Sequence, residues 1–434
     1  MTERENGKPL SDLRPHIVII GGGFGGLYCA KELARHKDVH ITVVDRKNHH
    51  TFQPLLYQVA SAVLSPGEIA SPIRSVLRSK KNVNVFLGEA LGFDLAARQV
   101  KLREFALSYD FLVVAAGATH SYFGHDEWAG FAPGLKTIED ALEIRRRVLL
   151  AYEIAERRAA AGETQYPLNF VVIGAGPTGV ELAGALADIA REALVHDFRS
   201  IDPARSRVLL LEGGPRVLAA YPDDLSTKAQ QQLEKLGVEV HTGAIVSNIE
   251  AGKVHVGEQV IEASVVLWAA GVRASSLGAA LGVSTDRAGR VEVERDLSIP
   301  GHPEVFVIGD LAAFKGPGGK LLPGVAPVAI QQGKAAAANI WRRIQGQPTC
   351  GFIYRDKGSL ATIGRSAAVA EIGKAHFSGT LAWLLWLLVH ILYLIGFRNR
   401  ALVVMNWAWA YFTRGRGIRL ITGSTELPGV TPPR

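Results

Sequence analysis

The sequence predicts an α/β fold built around two similar βαβ units, with an apolar region toward the end of the chain. Three observations carry that prediction: a G-x-G-x-x-G run following an apolar strand pattern at residues 16–26, a second such run at 169–179, and the stretch LAWLLWLLVHILYLIGF at 381–397. The first two read as strand, tight turn and helix, and the third as lipid-facing or deeply buried helix.

The composition fits. A chain of 434 residues can bury two or three cores, and 48% apolar residues with 46 glycines suit a turn-rich α/β protein. Mean hydropathy of +0.14 adds some membrane affinity. The net charge of +7 would suit an anionic surface, but there is no basic tract of five residues and no zinc-finger spacing, which excludes nucleic acid as a partner. Residues 1–14 are polar and mixed in charge, unlike a secretory signal. Cys29 and Cys350 lie too far apart for a Cys-x-x-Cys redox pair, and no cluster has metal-ligand spacing.

In the first unit, HIVIIGGGFGGLYCAKELARHKDVHITVVD, Gly21, Gly23 and Gly26 follow a buried-strand pattern and precede a helical one, and a second strand pattern ends in Asp45. The first glycine permits the turn, the second admits a pyrophosphate to bare backbone, and the third lets helix and strand approach. The phosphates would meet unpaired N–H groups at the helix start, and Asp45 would accept from ribose hydroxyls. In the second unit, Gly174, Gly176 and Gly179 follow the strand at 169–173, and Glu212 ends a later strand. The long spacing to Glu212 predicts a first helix running to about Arg199. An acid there suits an unmodified 2′-hydroxyl, so NADH is favoured over NADPH. Phe24 and Thr178 lie inside the fingerprints and count with them as contacts. Two such units predict two Rossmann-like dinucleotide-binding domains, the economical pairing being a tightly held FAD and a diffusing NADH.

Beyond the fingerprints, DRKNHHTFQPLLYQVASAVLSPGEIASPIR (45–74), YDFLVVAAGA (109–118), VVLWAAGVR (265–273), VFVIGDLAAF (305–314) and KGSLATIG (357–364) resemble the type II, non-proton-pumping NADH:quinone dehydrogenases over about residues 15–420. The resemblance implies NADH oxidation through FAD with two-electron reduction of a membrane quinone, ubiquinone or menaquinone. It implies an FAD domain in two parts, 1–120 and 290–345, around an NADH domain at 121–289, with 346–434 as a quinone-site and anchoring region. Gly117 and Gly271 end the two hinge strands, and Asp310 would face the flavin ribityl and pyrophosphate.

The resemblance also implies the reacting groups. Glu181, two residues past Gly179, would lie at the nicotinamide and hold the carboxamide or relay a proton; its plainer reading is a helix-start carboxylate. VAPVAIQQGKAAAANIW (325–341) is similar to the family's quinone motif at Ala326, Ala329, Gln331 and Gly333, and Gln331 would donate to a quinone carbonyl. Pro327 stands where the family often has glutamine. The plainer reading of Gln331 and Gln332 is a pair of helix-surface amides. His49 and His50 read as structural, since neighbours in a strand point opposite ways.

The stretch 377–397 would span about 31 Å as a helix, enough for one crossing. Charge opposes that. Arg398, Arg400, Arg414, Arg416 and Arg419 follow the segment, with no acid between Ile372 and Thr425, so a crossing would put five arginines outside. The apolar runs 381–397 and 401–412 therefore read as helices lying in one leaflet over 377–419, with Trp383, Trp386, Trp407 and Trp409 at the interface and the arginines on headgroups. A single transmembrane helix at 377–397 is the alternative, and a buried core or dimer helix the blander one. The protein is expected at the cytoplasmic face of the membrane, with a homodimer implied by the resemblance. Sulfide:quinone and ferredoxin reductases of the same fold, or an FAD- and NADH-binding redox sensor, are the rival functions; the first would need a cysteine pair beside the flavin.

Overall fold

The computed structural model describes residues 14–163, 167–413 and 415–427. They form two compact units, one drawn from residues up to His50, Ser71–Thr119 and Val272–Asp356, the other from Thr51–Ala70, His120–Gly271 and Lys357 onward.

The first unit is built on a six-stranded sheet ordered Ser298–Ile299, His302–Val307, Phe111–Val114, His16–Ile20, His40–Asp45, Val83–Leu87. All neighbours are parallel except the Ser298–Ile299 edge. Ile17, Val18 and Ile19 are fully buried, as expected of a parallel strand covered on both faces. The helix Phe24–Leu33 follows the first strand and packs against the helix Ala326–Ile344. The approach is close enough that a methyl on Gly333 would stand 2.3 Å from the Gly25 carbonyl oxygen. Cys29 is buried in this packing, where desolvation pushes its thiol far up, while Cys350 is exposed.

The second unit has a four-stranded parallel sheet ordered Val238–Thr242, Arg207–Glu212, Asn169–Ile173, Val265–Trp268. The helix Ile138–Ala160 is started by a Thr137–Asp140 capping box, which satisfies two otherwise unpaired N–H groups reciprocally. The helix after the second fingerprint spans Pro177–Asp188, shorter than the expected run to Arg199. It passes into a π turn at Ile189–Ala193, closed by the Leu194 N–H donating to the Ile189 carbonyl at 3.1 Å. Further on, the N–H groups of Arg199, Ser200 and Ile201 donate to the Glu156 carboxylate, which holds the following loop.

An antiparallel sheet of Ser359–Gly364, Ala367–Ile372 and Ala375–Ser378 packs on this helix through Gly184. The apolar region then forms two helices, Thr380–Tyr393 and Phe397–Thr413. The stretch 381–397 is thus not one helix: Leu394 is extended and Gly396 takes φ +93°. The break is fixed by Arg400, which donates to the carbonyls of Leu392 and Leu394 and so caps the first helix. No described helix is long and apolar enough to cross a membrane.

Candidate functional site

Each fingerprint builds the same local geometry. Gly21 has φ +101°, and a methyl on Gly26 would lie 1.8 Å from the Gly21 carbonyl oxygen; Gly174 has φ +96°, and a methyl on Gly179 would lie 1.8 Å from the Gly174 oxygen. Only hydrogen fits at those contacts. Gly23 and Gly176 differ, because a side chain there would meet nothing within 4 Å, so what glycine leaves is open space in front of bare backbone.

The strand-end acids are oriented toward these turns. Asp45 accepts from the Gly22 N–H at 2.6 Å and the Lys47 N–H at 2.7 Å; Glu212 accepts from Ala175 and Gly214, both at 2.7 Å. Phe24 opens its helix with its ring edge-on to His50 at 4.9 Å. His50 is buried against the Gly22 carbonyl at 3.1 Å, and burial pushes it down to about 4, so it stays neutral and braces the turn. His49 bonds only to its neighbour Asn48 among the contacts resolved for its ring.

In the first unit Asp310 sits in the short turn Gly309–Leu311, and a methyl on Gly324 would come within 3.2 Å of its carboxyl carbon. Gln332 accepts from the Gly309 N–H at 2.7 Å and is buried, so it supports that turn rather than lying on the surface. Gln331 is engaged: its amide N–H donates to the Arg355 carbonyl at 2.9 Å and its oxygen accepts from the Arg355 N–H at 3.0 Å. Ala326 and Pro327 form the first turn of the helix, where a missing N–H costs nothing, and Ala329 lies beside Gly309. Gly117 has φ +68°, and Gly271, in the second unit, faces Phe123 and Ser121.

Glu181 lies in the fifth position of its helix, whereas Thr178 lies in its first turn. Glu181 lines a cavity of about 820 Å³ including its open mouth, walled by the helix Pro177–Asp188, the short helix Leu56–Ala60, the strand Ser359–Gly364 and both apolar helices. Protein atoms surround its carboxyl even though part of its surface faces the cavity. Desolvation therefore raises its proton affinity well above the usual range, opposed only by a hydrogen bond from the Thr362 backbone. Thr362 is brought there because Gly184 admits its strand: a methyl on Gly184 would lie 1.6 Å from the Ile363 carbonyl oxygen.

The opposite wall is aromatic and ordered. Trp407 donates to Gln58, Gln58 donates to the Tyr57 hydroxyl at 2.9 Å, and Trp386 tilts against Trp407 at 5.5 Å. Trp386 is 1% exposed and its indole N–H has no partner among the described residues; the buried Ser61 hydroxyl is likewise unpaired. Two buried polar groups on one cavity wall fit a ligand or water carrying hydrogen-bonding oxygen.

The arginines depart from the sequence expectation. Arg416 is buried, donating to the Ser61 carbonyl at 2.7 Å with Asp188 at 3.7 Å, and Arg419 holds Asp197 and the Ala193 carbonyl. With Arg400 capping a helix, three of the five expected on headgroups bond within the protein. Arg398 is exposed, and Arg414 lies outside the described residues. A lone sequence shows charge but not the carbonyls that fold against it.

Comparison with known proteins agrees with this geometry. Residues 15–333 match the family model of the pyridine nucleotide-disulphide oxidoreductases, and residues 357–416 that of the NDH2 C-terminal domain. A Mycobacterium tuberculosis (strain ATCC 25618 / H37Rv) protein named type II NADH:quinone oxidoreductase Ndh is 46% identical over 425 residues, covering 94% of this chain and 90% of its own. A type II NADH:quinone oxidoreductase of Staphylococcus saprophyticus is 30% identical over 367 residues, covering 83% and 90%. Among solved structures, NDH2 from Plasmodium falciparum in complex with NADH superposes with TM-score 0.84 at 20% identity, covering 93% of this chain and 99% of that one. The sulfide:quinone oxidoreductase of Aquifex aeolicus gives 0.71 at 18%, covering 92% and 95%, so the fold alone spans several activities. Glycine geometry repeated in two units, a C-terminal domain of matching kind and 46% identity along nearly the whole chain lead to one conclusion: this chain belongs to the type II NADH:quinone oxidoreductase family.

Proposed function

We infer that the protein oxidises NADH and passes the electron pair through FAD to a quinone, without pumping protons. The observation that carries this is the pair of fingerprints, each leaving bare backbone at its second glycine and an acid at its strand end. The first fits FAD, which Gly21, Gly23, Phe24, Gly26, Asp45, Gly117 and Asp310 would hold. The second fits NADH at Gly174, Gly176, Thr178, Gly179, Glu212 and Gly271, where the Glu212 carboxylate repels a 2′-phosphate. When bound, FAD supplies reversible two-electron chemistry that no side chain here offers.

The cavity of the second unit supports quinone as the acceptor. Its walls are flat aromatic surface, the unpaired Trp386 N–H suits a quinone carbonyl, and Glu181, whose proton affinity burial raises, can donate to the reduced oxygen. Gln331 would have to release Arg355 to make such a bond. It stays a candidate with Ala326, Pro327 and Ala329, to be tested by Gln331→Ala.

The apolar helices support attachment to one leaflet at the cytoplasmic face. Leu381, Leu384, Leu388 and Leu392 are exposed along one side of the first, and Met405, Trp409 and Phe412 along one side of the second. A homodimer is the assembly this reading carries, checked by light scattering. Stopped-flow spectroscopy tests the function itself: NADH should bleach a yellow flavin and a quinone analogue restore it, and a colourless protein or a bleach that quinone leaves untouched would overturn it.

A further inference from the structure

Reducing a quinone to a quinol by NADH consumes one proton beyond the hydride: NADH + H⁺ + quinone gives NAD⁺ + quinol. That proton must come from water, past an apolar wall. We propose that Asp188 is the relay residue that returns a proton to Glu181 after each turnover, and that Arg416 tunes it from the opposite wall; the proposal rests on the quinone reading of this cavity.

The geometry is that of a graded path. Glu181 and Asp188 are seven residues apart on one helix, two turns along the same face and about 10.5 Å by helical rise. Glu192 follows in the π turn, a feature frequent at functional sites because it re-aims side chains. All three line one cavity. Exposure increases toward the Glu192 end: Glu181 and Asp188 are both half-buried, the Asp188 side chain is 22% exposed, and Glu192 is 37% exposed. The Tyr57 phenol lies in the electrostatic reach of both Glu181 and Asp188, and because its oxygen accepts from Gln58 its own proton is left for the cavity. Both carboxyl-bearing side chains line the same open cavity, which is roomy enough to hold water between them.

The groups facing Asp188 come from four elements. Arg416, Arg365 and Arg191 favour its ionised form, Glu192 opposes it, and the Tyr57 phenol faces it uncharged. Burial outweighs the arginines and lifts Asp188 to about 6, so both of its states are populated near neutral pH, as a relay requires. In the cycle, the O–H bond of Glu181 breaks as a quinol O–H forms. The Glu181 carboxylate regains a proton from Asp188 through water, and Asp188 is reprotonated from solvent at the Glu192 end. No electrons pass through these side chains.

The test uses the full-length flavin-loaded protein, reduced by NADH and mixed with a short-chain benzoquinone in a stopped-flow instrument. Asp188→Asn should slow the quinone limb about tenfold or more, with the deficit widening from pH 6 to pH 8, and imidazole or formate should restore part of the rate. Asp188→Glu should restore most of it. Independently of turnover, an infrared carboxyl band titrating near pH 6 should be absent from Asp188→Asn and move to higher pH in Arg416→Gln. Wild-type rates in Asp188→Asn at pH 8, a deficit that neither weak acid nor Asp188→Glu repairs, or the same infrared titration in all variants would overturn the relay. Failure of quinone to reoxidise the wild-type protein would instead sink the acceptor reading itself.

Discussion

Trp407 donates its indole N–H to the side-chain oxygen of Gln58 at 2.6 Å across 349 residues of chain. An indole can only donate, so this bond fixes which end of the Gln58 amide faces Tyr57 and therefore which way the Tyr57 proton points. Trp407→Phe keeps an aromatic ring but leaves the Gln58 oxygen unpaired, and urea denaturation should show a loss of about 1–3 kcal/mol. Combining it with Gln58→Leu should cost less than the sum of the two, because one bond is removed twice. Strict additivity would contradict the chain.

Arg416→Gln should destabilise the protein more at pH 8 than at pH 5. Asp188 has its folded proton affinity raised to about 6 from an ordinary 3.8, so its contribution favours the folded state fully below about pH 4 and is lost as pH rises through 6. Above that range Asp188 is a partly buried anion that depends on Arg416, and losing the partner should cost toward the lower end of about 3–5 kcal/mol. Denaturation at the two pH values measures the difference.

Gly184→Ala and Gly176→Ala should separate packing from binding. The first places a methyl 1.6 Å from the Ile363 oxygen and must push the strand off its helix, lowering stability by about 1–3 kcal/mol or more and loosening the Thr362 bond to Glu181. The second meets nothing within 4 Å, so melting should change little while KM for NADH rises.

Leu384→Glu with Leu388→Glu should release the protein from lipid vesicles, since each leucine, about half exposed, forfeits about 1 kcal/mol of burial when withdrawn. High salt should release little, because Arg400, Arg416 and Arg419 bond inside the protein. Flotation assays with and without salt check both.

The parts legible in the sequence are those set by short-range constraint. Gly21 with Gly26, and Gly174 with Gly179, are forced by contacts within one turn, and Asp45 and Glu212 follow from strand ends. The cavity was not legible in that way. Asp188 is an ordinary helix residue until Arg416, 228 positions later, folds against it, and Trp386 and Gln58 gain their meaning from partners equally remote. The regular helix ends at Asp188 in the π turn Ile189–Ala193, which the helical patterning of the sequence does not reveal. Gln332, for which a surface amide is the plainer sequence reading, is buried under the Asp310 turn.

Residues 418–426 are held largely through main-chain oxygens. Arg145 donates to the Ile418 carbonyl, and Arg146 to those of Ser424 and Glu426, both from the Ile138–Ala160 helix. Every residue type but one supplies both a carbonyl and the freedom to present it. Apart from Gly423, whose φ of +92° favours glycine, residues 420–426 can therefore exchange side chains while the path stays put, whereas a deletion that shifts the spacing, or a proline that redirects it, would do harm.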